Sequence, residues 1–213
     1  MTGKIITITQ QKGGSGKTTL AAHLAVAAAR LHGKSVAIVD TDPQGSLGRW
    51  FMARAERSNG AQPDMGFRTA SAWGARYEAQ SLAKDHDIVI IDTPPKMGVD
   101  GRPAIETADV VLIPVSPSPV DLWATEPTLE MTSSAKKSAI MVLNRANSRA
   151  RLTGEMAQAL KDMGAIAART MIGNRVIFAS SMGNGSSVLE AQSKGLAAQE
   201  ISDVAKEVLK SAA

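Results

Sequence analysis

The chain has 213 residues and a mass of 22.3 kDa, which suits one α/β domain with a single core. It contains no cysteine, which excludes a disulfide framework, a thiol nucleophile and a metal held by thiolates. The net charge of +4 is unevenly distributed, because residues 136–175 contain eight basic and two acidic side chains and alone carry +6.

Strand-like and helix-like runs alternate along the chain. The predicted strands are short apolar runs at 5–8, 35–39, 65–69, 87–91, 110–115, 139–143 and within 165–172. The predicted helices lie at 20–31, 45–55, 73–84, 102–108, 119–137, 152–163, 174–181 and 194–210, with a loop at 59–63. Continuous apolar strands between helices predict one α/β domain over residues 1–213, a doubly wound, mostly parallel sheet covered by helices on both faces. Ligands of such sheets bind at the carboxyl ends of the strands.

Residues 10–19, QQKGGSGKTT, connect the first predicted strand to the first helix. A glycine-rich turn in this setting is typical of a phosphate-binding loop, because its N–H groups and the helix N-terminus face an anion. We expect Lys17 to contact the β- and γ-phosphates and the Thr18 hydroxyl to ligate Mg²⁺. The alternative is a simple tight turn. The candidate nucleotide-binding residues of this loop are Gly13, Gly14, Ser15, Gly16, Lys17, Thr18 and Thr19.

A second lysine, Lys12, stands at the front of the loop and is poorly placed to serve the phosphates of its own loop. It could instead supply a cation in trans to a nucleotide in a facing subunit. The alternative is a solvated surface lysine.

The run from Lys12 to Thr19 is a deviant Walker A pattern, and with the motifs below the chain resembles the ParA/MinD family of ATPases. The similarity is greatest to small ParA-like partition ATPases without an N-terminal DNA-binding domain. It implies that ATP and Mg²⁺ are cofactors, that an ATP-dependent homodimer forms in which Lys12 reaches the partner's ATP, and that Lys12, Lys17 and Asp42 are catalytic. It also implies weak ATP hydrolysis stimulated by a partner protein, non-specific DNA binding on the nucleoid, and positioning of a plasmid, a chromosome or a large protein assembly.

Acidic residues follow two of the predicted strands. Asp92 ends an apolar strand in a Walker B arrangement and is expected to hold Mg²⁺ beside Thr18, although capping aspartates are also common after strands. The resemblance implies that Asp42 orients the attacking water, that Asp40 supports the metal, and that residues 93–95 belong to a switch region. The alternative for the Asp40–Asp42 pair is a plain turn around Pro43.

Asn144 follows the strand at 139–143. GTPases have an N-K-x-D motif at this place, whereas this chain has Asn144-Arg-Ala-Asn and lacks the acid that recognises guanine. The sequence therefore favours adenine, and the resemblance implies that Asn144 contacts the ring; the alternative is an asparagine that merely ends the strand. Residues 185–188 match a base-proximal run of the family, but with serine where proline is usual.

The basic residues predict non-specific contacts with DNA phosphates, for which solubilising surface charge is the alternative. The candidate DNA-binding residues are Arg149, Arg169, Arg175, Lys194 and Lys206. The final helix has one apolar stripe opposite mixed charges, which favours packing on the sheet over membrane binding. We expect no signal peptide, no membrane partner and a cytoplasmic location.

Two other functions fit this scaffold. One is a nucleotide-gated scaffold with negligible turnover, against which the intact Lys17, Asp42 and Asp92 weigh. The other is a metabolic ATP-dependent synthetase, for which no second-substrate motif is found.

Overall fold

A computed structural model describes residues 2–57, 64–95 and 101–212 of the protein. Within these ranges seven strands form one sheet in the order β3-β2-β4-β1-β5-β6-β7, with every neighbouring pair parallel. The strands are β1 (Lys4–Ile8), β2 (Val36–Asp40), β3 (Gly66–Thr69), β4 (Ile88–Asp92), β5 (Val110–Val115), β6 (Ser138–Leu143) and β7 (Ile166–Ala167). The predicted fold class is confirmed, whereas the loop predicted at 59–63 lies outside the described residues.

Helices connect the strands. They are α1 (Lys17–His32), α2 (Ser46–Arg57), α3 (Ala75–Leu82), α4 (Arg102–Thr107), α5 (Pro119–Trp123), α6 (Glu126–Ser134), α7 (Arg151–Asp162), α8 (Val176–Gly183), α9 (Val188–Ala191) and α10 (Leu196–Ala212). They cover both faces of the sheet, because alternate side chains of each strand enter different apolar cores. In β1, Ile6 and Ile8 belong to the core that contains α1 and α10, whereas Ile5 packs on the opposite face with Val89 and Ile91.

The register of the central strands brings the predicted acidic residues together. Asp92 is opposite Ile8 at the end of β1 and opposite Asp40 at the end of β2. The phosphate loop begins just beyond Ile8, so both aspartates lie at the same end of the sheet as the loop. We call this the carboxyl end of the sheet.

The segment 119–137 is predicted to begin with proline-rich turn signals and to continue as one helix, and the single helix is wrong. The structure has α5 and α6 there, separated at Ala124 and Thr125. Pro127 lies in the first turn of α6, where its missing N–H is tolerated, but it cannot donate the hydrogen bond that would continue α5.

The C-terminal region contains one unpredicted helix and one confirmed helix. The short α9 begins at Ser187, whose side chain forms a capping box with Glu190. In α10, the stripe that includes Ile201, Val204 and Val208 is buried against the sheet, as predicted. No helix within the described ranges is both long enough and apolar enough to cross a bilayer.

Candidate nucleotide-binding site

The loop between β1 and α1 has the backbone of an anion-binding turn. Gly14 and Gly16 have φ angles of 79° and 94°, a left-handed region that strongly favours glycine. Gly16 is also the N-cap of α1 and provides no side chain to cap it. A Cβ at Gly16 would lie 2.2 Å from the side-chain nitrogen of Asn144, so the backbone approach itself requires glycine. The N–H groups of the first turn of α1 are therefore left for an anion.

Lys17 lies inside this loop. Its side chain is buried, and its Nζ donates to the carbonyl oxygens of Gln10 at 2.9 Å and Lys12 at 3.3 Å. Burial lowers the pKa of Lys17, while the negative charges of Asp92 and Asp42 act in the opposite direction. The desolvated ammonium of Lys17 therefore lies within the loop that is expected to bind phosphates.

Asp92 lies beside the loop and is buried. Burial raises the pKa of its carboxyl group to about 7, against the opposing effects of the Thr18 hydroxyl and the Lys17 ammonium. Within the described residues neither carboxylate oxygen accepts a hydrogen bond of normal geometry. An uncompensated buried carboxylate next to a hydroxyl fits the ligand preference of Mg²⁺, which binds one or two carboxylates and keeps several waters. When bound there, Mg²⁺ would neutralise phosphate charge.

Asp40 and Asp42 occupy different positions. Asp40 is buried, and its two carboxylate oxygens accept from the backbone N–H groups of Asp42 and Gly48, each at 3.0 Å. Asp40 thus fixes the loop between β2 and α2, and its predicted support of the metal stays a prediction. Asp42 is partly exposed, and its carboxylate accepts from the backbone N–H of Gln44 at 2.9 Å. Asp42 faces an open cleft of about 670 Å³ between this loop and Pro94–Pro95, so water can reach the carboxylate for which a water-orienting role is predicted.

The predicted switch region begins within this site. The hydroxyl of Thr93 donates to the carbonyl oxygen of Ile8 at 2.8 Å, which ties the segment after β4 to the start of the phosphate loop. Residues 96–100, which continue this segment, lie outside the described residues.

Lys12 forms an ion pair within its own subunit. Its Nζ lies 2.6 Å from Oδ2 of Asp121 on α5, and that carboxylate also accepts from the hydroxyl of Ser118. The Lys12 side chain remains 37% exposed. Sequence reasoning missed Asp121. The spacing of Ser118 and Asp121 indicates a helix cap, but nothing in the sequence links this cap to a lysine 109 residues earlier.

Asn144 contacts the phosphate loop directly. Its side-chain nitrogen donates to the carbonyl oxygen of Ser15 at 2.7 Å, and its Oδ1 accepts from the backbone N–H of Arg145. A cavity of about 130 Å³ adjoins these residues. Its lining is Gly16, Thr19, Asn144, Arg145, Gly173, Asn174, Arg175, Phe178 and Ala179. The predicted contact of Asn144 with a base stays a prediction, and the second wall of this cavity, at 173–179, has no recognisable motif.

The run at 185–188 is placed elsewhere in the described structure. The carbonyl oxygen of Ser186 accepts from the indole N–H of Trp50 at 2.9 Å, and Ser187 caps α9. A Cβ at Gly185 would lie 2.2 Å from the backbone nitrogen of Arg54. The run therefore packs on α2 and does not line the cavity beside Asn144.

The basic segment 136–175 is divided between two ends of the sheet. Lys136 and Lys137 precede β6 and Lys161 lies at the end of α7, so these three are at the amino end. The other members follow β6 or β7 at the carboxyl end: Arg145, Arg149, Arg151, Arg169 and Arg175.

The candidate DNA-binding residues differ in their ion pairing. Arg175 pairs with Glu200 and Lys206 with Asp203. In the part of the chain that the structure describes, the exposed side chains of Arg149, Arg169 and Lys194 make no ion pair. Their DNA contacts stay predictions.

Known proteins with a nucleotide-binding domain are similar to this chain. The model of the CobQ/CobB/MinD/ParA nucleotide-binding domain matches residues 6–196. The chain is 32% identical over 215 residues to maintenance of carboxysome distribution protein A of Halothiobacillus neapolitanus, covering 97% of this chain and 96% of that protein. It is also 34% identical over 134 residues to the chromosome-partitioning ATPase Soj of Thermus thermophilus, but this match covers only 52% of the chain and 53% of Soj.

Solved structures show the same fold. The ATP complex of a Cyanothece McdA variant superposes with a TM-score of 0.82 at 18% identity, covering 98% of this chain and 96% of that one. MinD from Pyrococcus horikoshii with Mg-ADP gives a TM-score of 0.80 at 20% identity, with 96% and 95% covered. The match to the domain model extends from β1 to the start of α10 and includes the loop, both strand-end aspartates and Asn144. The chain therefore belongs to the CobQ/CobB/MinD/ParA family of nucleotide-binding domains.

Proposed function

We propose that this chain is a ParA-like, Mg²⁺-dependent ATPase that dimerises on binding ATP, binds DNA without sequence preference and positions a cargo. Hydrolysis of ATP to ADP and phosphate is weak alone and is stimulated by a partner protein. Lys17 and the N-terminus of α1 bind the phosphates, Thr18 and Asp92 hold Mg²⁺, and Asp42 orients the attacking water.

The position of Lys12 is the observation on which this proposal rests. Lys17 already supplies the cation inside the loop, whereas the Lys12 ammonium is held at the surface by Asp121. A second cation at the mouth of this site can neutralise the phosphates of a nucleotide that is bound to another copy of the chain. Phosphoryl transfer depends mainly on positioning and charge neutralisation, so a lysine that arrives only with a second subunit would couple hydrolysis to dimerisation.

The arginines at the carboxyl end support the proposal of DNA binding. Arg149 and Arg169 are exposed and free of ion pairs within the described residues. A monomer with a few such cations would bind DNA weakly, but a dimer doubles their number and gains avidity without any new contact.

A large protein assembly is the cargo that the comparisons favour among the three classes considered. A relative that is matched over nearly its full length is a carboxysome distribution protein, whereas the chromosome-partitioning protein named above is matched over about half of its length.

The dimer is tested by light scattering with ATP and with ADP. We expect a dimer with ATP only, and we expect Lys12→Ala to remain monomeric while it binds ATP normally. Lys4→Ala is the matched control, because Lys4 is also a partly exposed, ion-paired lysine but lies at the other end of β1. A normal ATP-dependent dimer of Lys12→Ala would refute the role of Lys12, and phosphate release that stays at background with DNA and partner present would favour the nucleotide-gated scaffold.

A further inference from the structure

The helix α5 exposes two large apolar side chains next to the nucleotide site. Val120 is 56% exposed and Trp123 is 64% exposed. Residues three apart on a helix are neighbours, so the two side chains form one apolar surface. Of the three tryptophans in the chain, Trp50 is almost fully buried in the core, and Trp73, between β3 and α3, is also exposed, at 79%. An exposed tryptophan beside an exposed valine leaves apolar area in water that a protein partner would cover.

Two polar contacts hold α5 and the residue that follows it against the phosphate loop. Asp121, which lies between the two apolar residues in the chain, is buried and bonds to Lys12. Two residues after α5 ends, the Thr125 hydroxyl accepts from the side-chain nitrogen of Gln10 at 2.9 Å. Gln10 and Lys12 belong to the front of the phosphate loop, so the position of the apolar surface is fixed relative to Lys12.

We infer that Val120 and Trp123 form part of the contact surface between two copies of this chain in the ATP-bound dimer. The inference rests on the proposed function, in which Lys12 reaches the nucleotide of a second copy. Because a lysine has a stem of only four methylenes, the second copy must closely approach the surface from which Lys12 projects. The side chains of α5 border that surface, and the approach of a second copy would remove them from water.

A second copy is the occupant that this geometry favours. In a two-fold dimer the same patch is contributed by both subunits, so each α5 is carried to the interface together with its own Lys12. Tryptophan is enriched among residues whose truncation costs most at protein interfaces, and valine is not, so Trp123 is expected to dominate. When Lys12 moves to the partner's nucleotide, the bond between Lys12 and Asp121 would also break. The position of α5 would therefore be coupled to the formation of the dimer.

Trp123→Ala tests the inference, with Tyr77→Ala on α3 as the matched control. Tyr77 is an aromatic residue of similar exposure, 76%, on the helix between β3 and β4. Both side chains lie outside the core, so we expect unchanged melting temperatures and unchanged ATP binding by the monomer. We expect the apparent dimer dissociation constant with ATP to rise at least tenfold in Trp123→Ala and to stay at the wild-type value in Tyr77→Ala.

A second measurement uses the fluorescence of Trp123 itself. In a Trp73→Phe protein the remaining tryptophans are Trp123 and the buried Trp50. The summed emission should shift to shorter wavelength with ATP as protein concentration rises, because the Trp123 indole leaves water while Trp50 is already buried. Unaltered dimerisation of Trp123→Ala, or emission that does not change as the dimer forms, would overturn the inference and leave the proposed function intact. Failure of the wild-type protein to dimerise with ATP at any concentration would overturn both.

Discussion

The proposed binding of DNA can be tested through its salt dependence by the substitution Arg149→Ala. Arg149 lies between β6 and α7 at the carboxyl end of the sheet, is exposed and makes no ion pair within the described residues. On B-DNA, each phosphate neutralised by a protein contributes about −0.9 to the slope of log K against log salt concentration. A homodimer presents Arg149 twice, so its loss should make the slope shallower by about 2. Since phosphates carry no sequence information, the change should be the same on unrelated duplexes.

The assay is fluorescence anisotropy of labelled duplexes over a range of salt concentrations, with Mg²⁺ and a slowly hydrolysed ATP analogue. Lys161→Ala is the matched control, because Lys161 is an exposed cation of the same basic segment but lies at the amino end of the sheet. Its slope should equal that of the wild-type protein. An unchanged slope in Arg149→Ala, or an equal loss in Lys161→Ala, would show that the carboxyl end does not form the DNA surface. A strong preference for one duplex at physiological salt would instead indicate sequence-specific binding.

Three other predictions concern the nucleotide site and the core. Lys17→Ala should weaken ATP binding by about 100-fold or more in calorimetry, because a buried cation that donates to phosphates is lost, whereas Lys12→Ala should bind as the wild type does. Asp42→Ala should leave ATP-bound dimer on DNA with phosphate release near background, and unchanged hydrolysis would remove Asp42 from the mechanism. Burial lowers the pKa of His23 to about 4, so the unfolded chain takes up a proton between pH 6.5 and 4 while the folded protein does not. As the pH falls from 6.5 to 4, the free energy of unfolding measured by urea titration should therefore decrease by about 3 kcal/mol more in the wild type than in His23→Met. If the two proteins lose stability in parallel over this range, the lowered pKa of His23 is wrong.

The phosphate loop could be predicted from sequence because its geometry is local. Two glycines with positive φ and a lysine that caps the carbonyl groups of its own loop all lie within eight residues. The positions of Asp40 and Asp92 were also predictable, because parallel strands bring their carboxyl ends to one side of the sheet. Both predictions needed only neighbours in the chain or the rule for parallel sheets.

Long-range side-chain contacts could not be predicted in this way. The bond from Lys12 to Asp121 depends on how α5 is set after β5, and the break before Pro127 that creates α5 was itself missed. The wall of the cavity beside Asn144 comes from residues after β7 whose types suggest no ligand. The net charge of segment 136–175 follows from the sequence, but the sequence does not reveal that Lys161 and Arg149 lie at opposite ends of the sheet.

The parallel sheet gives the proposed activities a common physical basis. Because the strands run in one direction, the phosphate loop, Asp42, Lys12 and Arg149 all lie on the connections at the carboxyl end. In the proposed dimer the second copy contributes its own set of these arginines. If ATP holds two copies together, as proposed, its binding would double the number of these arginines in a single step, and its hydrolysis would halve that number. Since the affinity for DNA is steep in the number of phosphates neutralised, no conformational change of the arginines themselves is needed to switch DNA binding on and off.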